Sequence, residues 1–266
     1  MRMKNSGSFT NHGIVNLKNQ DWLDKQRVAG KIAAKTLLLL EQFVKDKTKL
    51  SLLELNKIAE EYIINAGGSP TFKGYKGFPA GVCISVNKQL VHGIPTNYVL
   101  VDGDVISFDL GVTVEGAIAD TAITCIYGEP KSDSHTRLVQ ATKDALMAGI
   151  AAVKVGNQLG CIGAAIYENC RRNKFSLITN YGGHSLDWNT PHSFPFVPNK
   201  SSSNEGIRIQ PGLTIAIEPM LCLGSDKTRT LDDNWTVVTD DIGAHEEQSI
   251  FVHEDHVEII TDRNGL

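Results

Sequence analysis

The sequence predicts an α+β fold, with helices packed against a mostly antiparallel sheet. Three observations carry this. Helix-period apolar stripes occupy residues 21–65, β-prone runs fill 69–128, and the same helices-then-strands order returns in the second half. At 266 residues and 41% hydrophobic composition the chain can bury a sizeable core, as one large domain or two small ones.

The elements follow in order. The first dozen residues, "MRMKNSGSFTNH", lack periodicity, so residues 1–14 read as a flexible tail ahead of a single domain over 15–266. Asp21 or Asn19 can cap a helix over 21–45, with Val28, Ile32 and Leu39 at about helical spacing. "SLLE" is a capping box that starts a second helix, with Ser51 at the cap and Glu54 three residues on. Gly67-Gly68 ends it. "GVCISVN", "YVLVD", "DVISFDLGV" and "GAIADTAITCIYG" read as strands. Helices are expected over 134–154 and 158–173, and the Pro-, Ser- and Asn-rich stretch 185–212 as loops. "LTIAIEPM", "WTVVTD", "QSIFVHE" and "HVEIIT" return to strands.

Composition excludes some functions. The net charge of -4, without a basic stripe and interleaved aromatics, gives no reason to expect nucleic acid. No apolar run is long enough for a membrane span, and no signal-peptide core follows the N-terminus. Five scattered cysteines with no CxxC pair argue against a disulfide framework or a thiolate zinc site. A cytoplasmic protein with reduced thiols is expected.

The chemistry concentrates in carboxylates at unusual places. Asp109 and Asp120 lie eleven residues apart in "SFDLGVTVEGAIADTAIT", where strands disfavour Asp. A turn centred between Val114 and Glu115 makes Asp109 oppose Asp120, and their repulsion then calls for a proton or a cation. A slipped register with both at solvent is the plain alternative. Glu218 lies in a β-prone run and Glu247 heads another, while His184 follows a Gly-Gly pair. Four carboxylates and one imidazole suit two divalent ions acting on water. His92 and His192 are loop histidines near Gly or Pro.

These residues, taken together, resemble the type I methionine aminopeptidases. The resemblance runs from about Val15 to Thr261 through "RVAGKIAA", "GYKGFPAGVCISVN", "VHGIP", "DGDVISFDLGV", "ADTAIT", "GGH", "TIAIEPM" and "WTVVT". It implies the pita-bread fold, with two pseudo-symmetric halves whose helices pack on a curved sheet. It implies removal of the N-terminal methionine from nascent polypeptides with a small second residue, by a metal-bridging hydroxide. By position it makes Asp109, Asp120, His184, Glu218 and Glu247 the ligands of two divalent ions (Co, Mn, Fe or Zn), with Glu218 as a proton shuttle. It places His92 near the scissile bond and the substrate amine, and His192 on the substrate carbonyl. It assigns Phe72, Tyr75, Phe78, Cys83 and Trp235 to the methionine pocket.

The resemblance weakens at "GGHSLDWNTPHSFPF", where Ser185 and Pro191 replace a glycine and an aromatic and the loop is one residue longer. Only 26 positions separate His192 from Glu218, too few for the insertion of type II relatives. The expected partner is the N-terminus of a nascent peptide. No nucleic acid or membrane is expected, the protein is read as a monomer, and a transient ribosome contact stays open. The alternatives are a proline-specific or broader aminopeptidase of the same fold, or a non-catalytic binding member.

Overall fold

The structure, a computed structural model, describes residues 13–266. The tail expected over 1–14 lies outside the described residues except for its last two positions. Helix α1 (Gln20–Lys45) starts at Asn19, whose side chain accepts from Trp22 N. Helix α2 (Leu52–Asn65) begins with the expected reciprocal box. Glu54 N donates to Ser51 Oγ, and Ser51 N donates to the Glu54 carboxylate at 2.8 Å.

Both helices cover one face of a sheet built from β1 (Ser69–Pro70), β2 (Cys83–Val86), β4 (Val105–Val114) and β5 (Ala117–Ile126). Between them in sequence, β3 (Gln89–Val91) pairs elsewhere. Along β4, alternate side chains Ile106, Phe108, Leu110 and Val112 are fully buried against the helices. Period-2 alternation therefore sends Ser107, Asp109 and Gly111 to the opposite face.

The second half repeats the plan. Helices α3 (Asp133–Ala151) and α4 (Gly160–Asn173) share a core with a five-stranded sheet. Its strands, besides the short β6 (Ser176–Leu177) that pairs elsewhere, are β7 (Gly182–Asp187), β8 (Thr190–Pro198), β9 (Thr214–Ile217), β14 (Gln248–Val252) and β15 (Val257–Ile259). Their order is β15-β14-β9-β7-β8. β10 (Met220–Cys222) joins β6 to β13 (Gly243–His245), and β11 (Arg229–Thr230) and β12 (Val237–Val238) extend β3. Among the described residues no helix is long and apolar enough to cross a membrane.

Polar side chains knit the two halves. Gln26, fully buried in α1, donates to the Ile118 carbonyl on one sheet and to Thr214 Oγ1 on the other. Ser249 Oγ accepts from Asp120 N and donates to Asp120 O. Ala122 and Glu247 exchange backbone hydrogen bonds.

Three expectations change. The β4–β5 pairing is Gly111↔Asp120 and Asp109↔Ala122, two positions from the register read in the sequence. The reason is the turn. Glu115 and Gly116 form a two-residue loop with φ +46° and +86°, the mirror-image turn that matches strand twist. A turn one position earlier would force β-branched Val114 into the left-handed region. A shift of two keeps both aspartates on one face but makes them diagonal neighbours. The stretch 185–212 is not all loop, because β7 and β8 run to Pro198. Its prolines are tolerated because β8 is an edge strand. "YVLVD" makes only one bridge, Val99 to Ser51, with Tyr98, Val99 and Val101 exposed.

The turn yields a first prediction. Gly116→Ala should cost about 1–2 kcal/mol, since an L side chain is strained there. Its Cβ would also lie 2.9 Å from the Trp188 ring. Urea unfolding of the metal-free protein measures this, and an unchanged midpoint would contradict it.

Candidate metal centre

The two sheets meet where the chemistry lies. Asp109 and Asp120 project from β4 and β5, and His184 from β7. Glu218 stands between β9 and β10, where Pro219, lacking an N–H, lets the chain leave one sheet for the next. Buried Asn199 holds this crossing by donating to the Glu218 carbonyl at 3.1 Å. Glu247 immediately precedes β14. Gly183 is needed beneath His184, because a Cβ there would lie 2.1 Å from the Ala216 carbonyl oxygen.

All five side chains are buried. His184 Nε2 lies 3.5 Å from Glu218 Oε1, 3.9 Å from Asp120 Oδ2 and 4.0 Å from Glu247 Oε1. Three triads each bring donor atoms within 4.8 Å of one another. They are Asp109–Asp120–Glu247, His184–Glu218–Glu247 and Asp120–His184–His192. Glu247 belongs to both of the first two.

The electrostatics call for protons or a cation among these groups. Burial, reinforced by the neighbouring carboxylates, pushes Asp109, Glu218 and Glu247 well above the usual carboxylate range. Burial pushes Asp120 up to about 7. Among the described residues none of the four forms an ion pair with lysine or arginine, and Asp120 Oδ1 is buried without a hydrogen-bond partner. Burial lowers His184 to about 4, so it is neutral. Its Nδ1 faces the Ser185 carbonyl at 3.3 Å, which can only accept. Nε2 therefore presents a lone pair toward three carboxylates, an arrangement that repels unless a proton or a cation lies between. The donor set of carboxylate oxygens and one imidazole fits hard or borderline divalent ions.

A cavity of about 1150 Å³ opens onto these groups. Phe72, Phe78 and Cys83 form a buried apolar cluster at its wall, with Trp235 packed edge-on to Phe78 at 5.1 Å. Cys83 pairs with Asp109 across β2 and β4, and burial, then the Asp109 charge, keeps it a thiol. His192 stacks on Tyr75 at 5.4 Å, and its ring centre is 4.3 Å from that of His184. It stands on β8 rather than in a loop. His92 occupies the left-handed region at φ +57°, between Tyr181 and Trp235. Burial lowers His92 to about 4 and His192 to about 2, so both are neutral imidazoles.

The twelve candidate ligand, catalytic and methionine-pocket residues all line this one cavity. The variant segment 185–192 closes as a tight hairpin tip. Lys18 grips Asp187 at 2.5 Å, Lys25 covers the Trp188 ring, and Asn189 N donates to Gly116 O. The sequence reading missed His245, buried with Nε2 3.4 Å from Glu218 Oε2. The signal was its place two positions before Glu247 in an extended run, a spacing that shares a face. It also missed Glu246, which pairs with Arg263 at 3.4 Å and accepts from Thr124 N.

Buried carboxylates and an imidazole around an apolar cavity define the class, a divalent-metal-dependent hydrolase. Comparison with known proteins specifies it. The description of metallopeptidase family M24 matches residues 24–254. A methionine aminopeptidase of Mycoplasma capricolum is 40% identical over 250 residues, 93% of this chain and 98% of that protein. Methionine aminopeptidase 1 of Bacillus subtilis is 40% identical over 237 residues, 88% of this chain and 94% of that one. The crystal structure of the Thermotoga maritima methionine aminopeptidase superposes with a TM-score of 0.89 at 31% identity, covering 94% of this chain and all of the other (100%). A Pyrococcus furiosus prolidase, 17% identical with a TM-score of 0.71 over 92% of this chain and 65% of its own, shares the fold alone. The chain belongs to metallopeptidase family M24, among its methionine aminopeptidases, and has their pita-bread fold.

Proposed function

We propose that this protein hydrolyses the peptide bond after an N-terminal methionine when the second residue is small, with two divalent ions held by Asp109, Asp120, His184, Glu218 and Glu247. The supporting observation is the pair of donor triads sharing Glu247 at the head of an apolar, aromatic cavity. Glu247 and Asp120 would serve both ions, Asp109 one of them, and His184 and Glu218 the other. The metal identity is one of Co, Mn, Fe or Zn.

When bound, the ions acidify water and polarise the scissile carbonyl. The chain's own groups do the rest. Glu218 accepts the water proton and passes it toward the leaving amine. His192, neutral and stacked on Tyr75, donates to the carbonyl oxygen as its charge develops. His92 steadies the scissile nitrogen and the substrate amine. Phe72, Tyr75, Phe78, Cys83 and Trp235 enclose the flexible thioether. The substrate partner is the N-terminus of a nascent chain in the cytoplasm, with the protein acting as a monomer.

Release of methionine from Met-Ala and Met-Gly peptides, set against Xaa-Pro peptides, tests the reading. Activity only on Xaa-Pro peptides would make this a proline-specific enzyme. A metal-loaded protein inert on every peptide would make it a binding member of the fold. His92→Ala should lower kcat by about 10²–10⁴-fold while metal content stays at the wild-type level. Equal loss of both would give His92 a structural role instead.

A further inference from the structure

We propose that His245 is a positioning residue for Glu218, whose outer oxygen it holds through Nε2–H so that the inner oxygen stays turned toward His184 and the metal centre. The inference rests on the functional reading above, and the structure gives it four supports. His245 is only 1% exposed, yet neither ring nitrogen has a hydrogen-bond partner among the described residues. A buried polar atom left unpaired is costly, so this imidazole has a partner to find. Its Nε2 stands 3.4 Å from Glu218 Oε2, while Glu218 Oε1 stands 3.5 Å from His184 Nε2. One carboxylate is thus bracketed by two imidazoles, one for each oxygen.

The third support is that the backbone beneath the ring is fixed. His245 N donates to Thr124 Oγ1 at 2.9 Å, and Thr124 Oγ1 donates to His245 O at 2.6 Å. Pairing with Met220 on β10 fixes it further. Only side-chain rotation is left, and a small rotation brings 3.4 Å into hydrogen-bond range. The fourth support comes from Glu218. Its main chain is pinned at the strand crossing by Asn199, so the orientation of its carboxylate is the free variable. Among the described residues its two oxygens lie within 4 Å of basic side-chain nitrogens only at His184 and His245, both neutral imidazoles. An outer partner of this kind sets the geometry of a ligand that must both coordinate and move a proton.

The test compares His245→Ala with His245→Gln, whose amide can donate to the same oxygen. His245→Ala should lower kcat on a Met-Ala peptide by about 10–100-fold and weaken Mn(II) binding in calorimetry by a similar factor. KM should change little. His245→Gln should recover most of both losses. Wild-type kcat and Mn(II) affinity in His245→Ala would overturn the proposal, as would a glutamine variant no better than alanine. Should His245→Ala fail to fold, His245→Leu against His245→Gln carries the same comparison. The Mn(II) titrations separate this from failure of the functional reading. A wild-type protein that binds Mn(II) but cleaves no Met-Ala peptide refutes that reading alone, while the affinities still judge His245.

Discussion

Glu247→Gln is expected to abolish methionine release and the binding of both ions together. The carboxylate belongs to two donor triads at once, so its loss opens both positions. Several kcal/mol of transition-state stabilisation come from metal polarisation, and about 4 kcal/mol corresponds to about a thousandfold in rate. A fall of at least about that size is expected, with metal analysis showing less than one ion per chain. Asp109→Asn is the contrast. Asp109 enters one triad only, so this variant should keep the ion on the His184 side and lose the other. Near wild-type turnover in metal-titrated Glu247→Gln, or two ions retained, would refute the shared-ligand geometry. Folding is a smaller concern, because the backbone bridge between Glu247 and Ala122 does not involve the altered side chain.

Metal removal should invert the response of the protein to alkali. Two sets of buried groups oppose each other in the metal-free state. His92, His184, His192 and His245 are depressed below the ordinary 6.5 by burial. Between about pH 4 and 6.5 the unfolded chain takes up protons that these rings refuse, so they make stability rise with pH. Asp109, Asp120, Glu218, Glu247 and Glu246 are raised by burial, with Asp120 and Glu246 near 7. Above the unfolded carboxylate values the folded protein keeps protons that the unfolded chain has released, so these groups make stability fall with pH. Below about 6.5 the two sets partly cancel. Above it only the carboxylates act, and metal-free protein should lose stability from pH 6.5 through 8. Ions replace those protons, so the gain in melting temperature from Mn(II) should grow across the same range. Melting curves of chelated and loaded protein at pH 6.5, 7.25 and 8 measure it. A metal-free protein more stable at pH 8 than at 6.5 would refute the electrostatics.

Much of this site was legible in the sequence because carboxylates in β-prone runs conflict with local propensity. Asp109, Asp120 and Glu218 stand out for that reason, and the structure buries all three against His184 and Glu247. The Ser51–Glu54 box was equally plain, being a short-range pattern with one geometry. The β4–β5 register was harder. The two-residue turn at Glu115-Gly116 depends on backbone handedness rather than on hydrophobic alternation, and alternation is unchanged by a shift of two. β8 was hidden by prolines that only an edge strand permits, and edge position is a tertiary fact. His245 was hidden because a lone histidine beside two glutamates looks like a solvated loop. Its burial depends on β10 and Thr124, far away in the chain.

The seam between the sheets has a consequence for how the protein is made. Two of the five metal-binding candidates lie before residue 121 and three after residue 183. The last of them in the chain is Glu247, which belongs to two of the donor triads. Synthesis must therefore pass residue 247 before either of the two donor triads that share Glu247 is complete. Until then Asp109 and Asp120 lack the glutamate of the second half that completes their shared donor triad. On the proposed function, metal capture is expected only after the strands around Glu247 have been made. A product that stops before Glu247 lacks the carboxylate common to two donor triads, and is expected to bind neither ion and to show no peptidase activity.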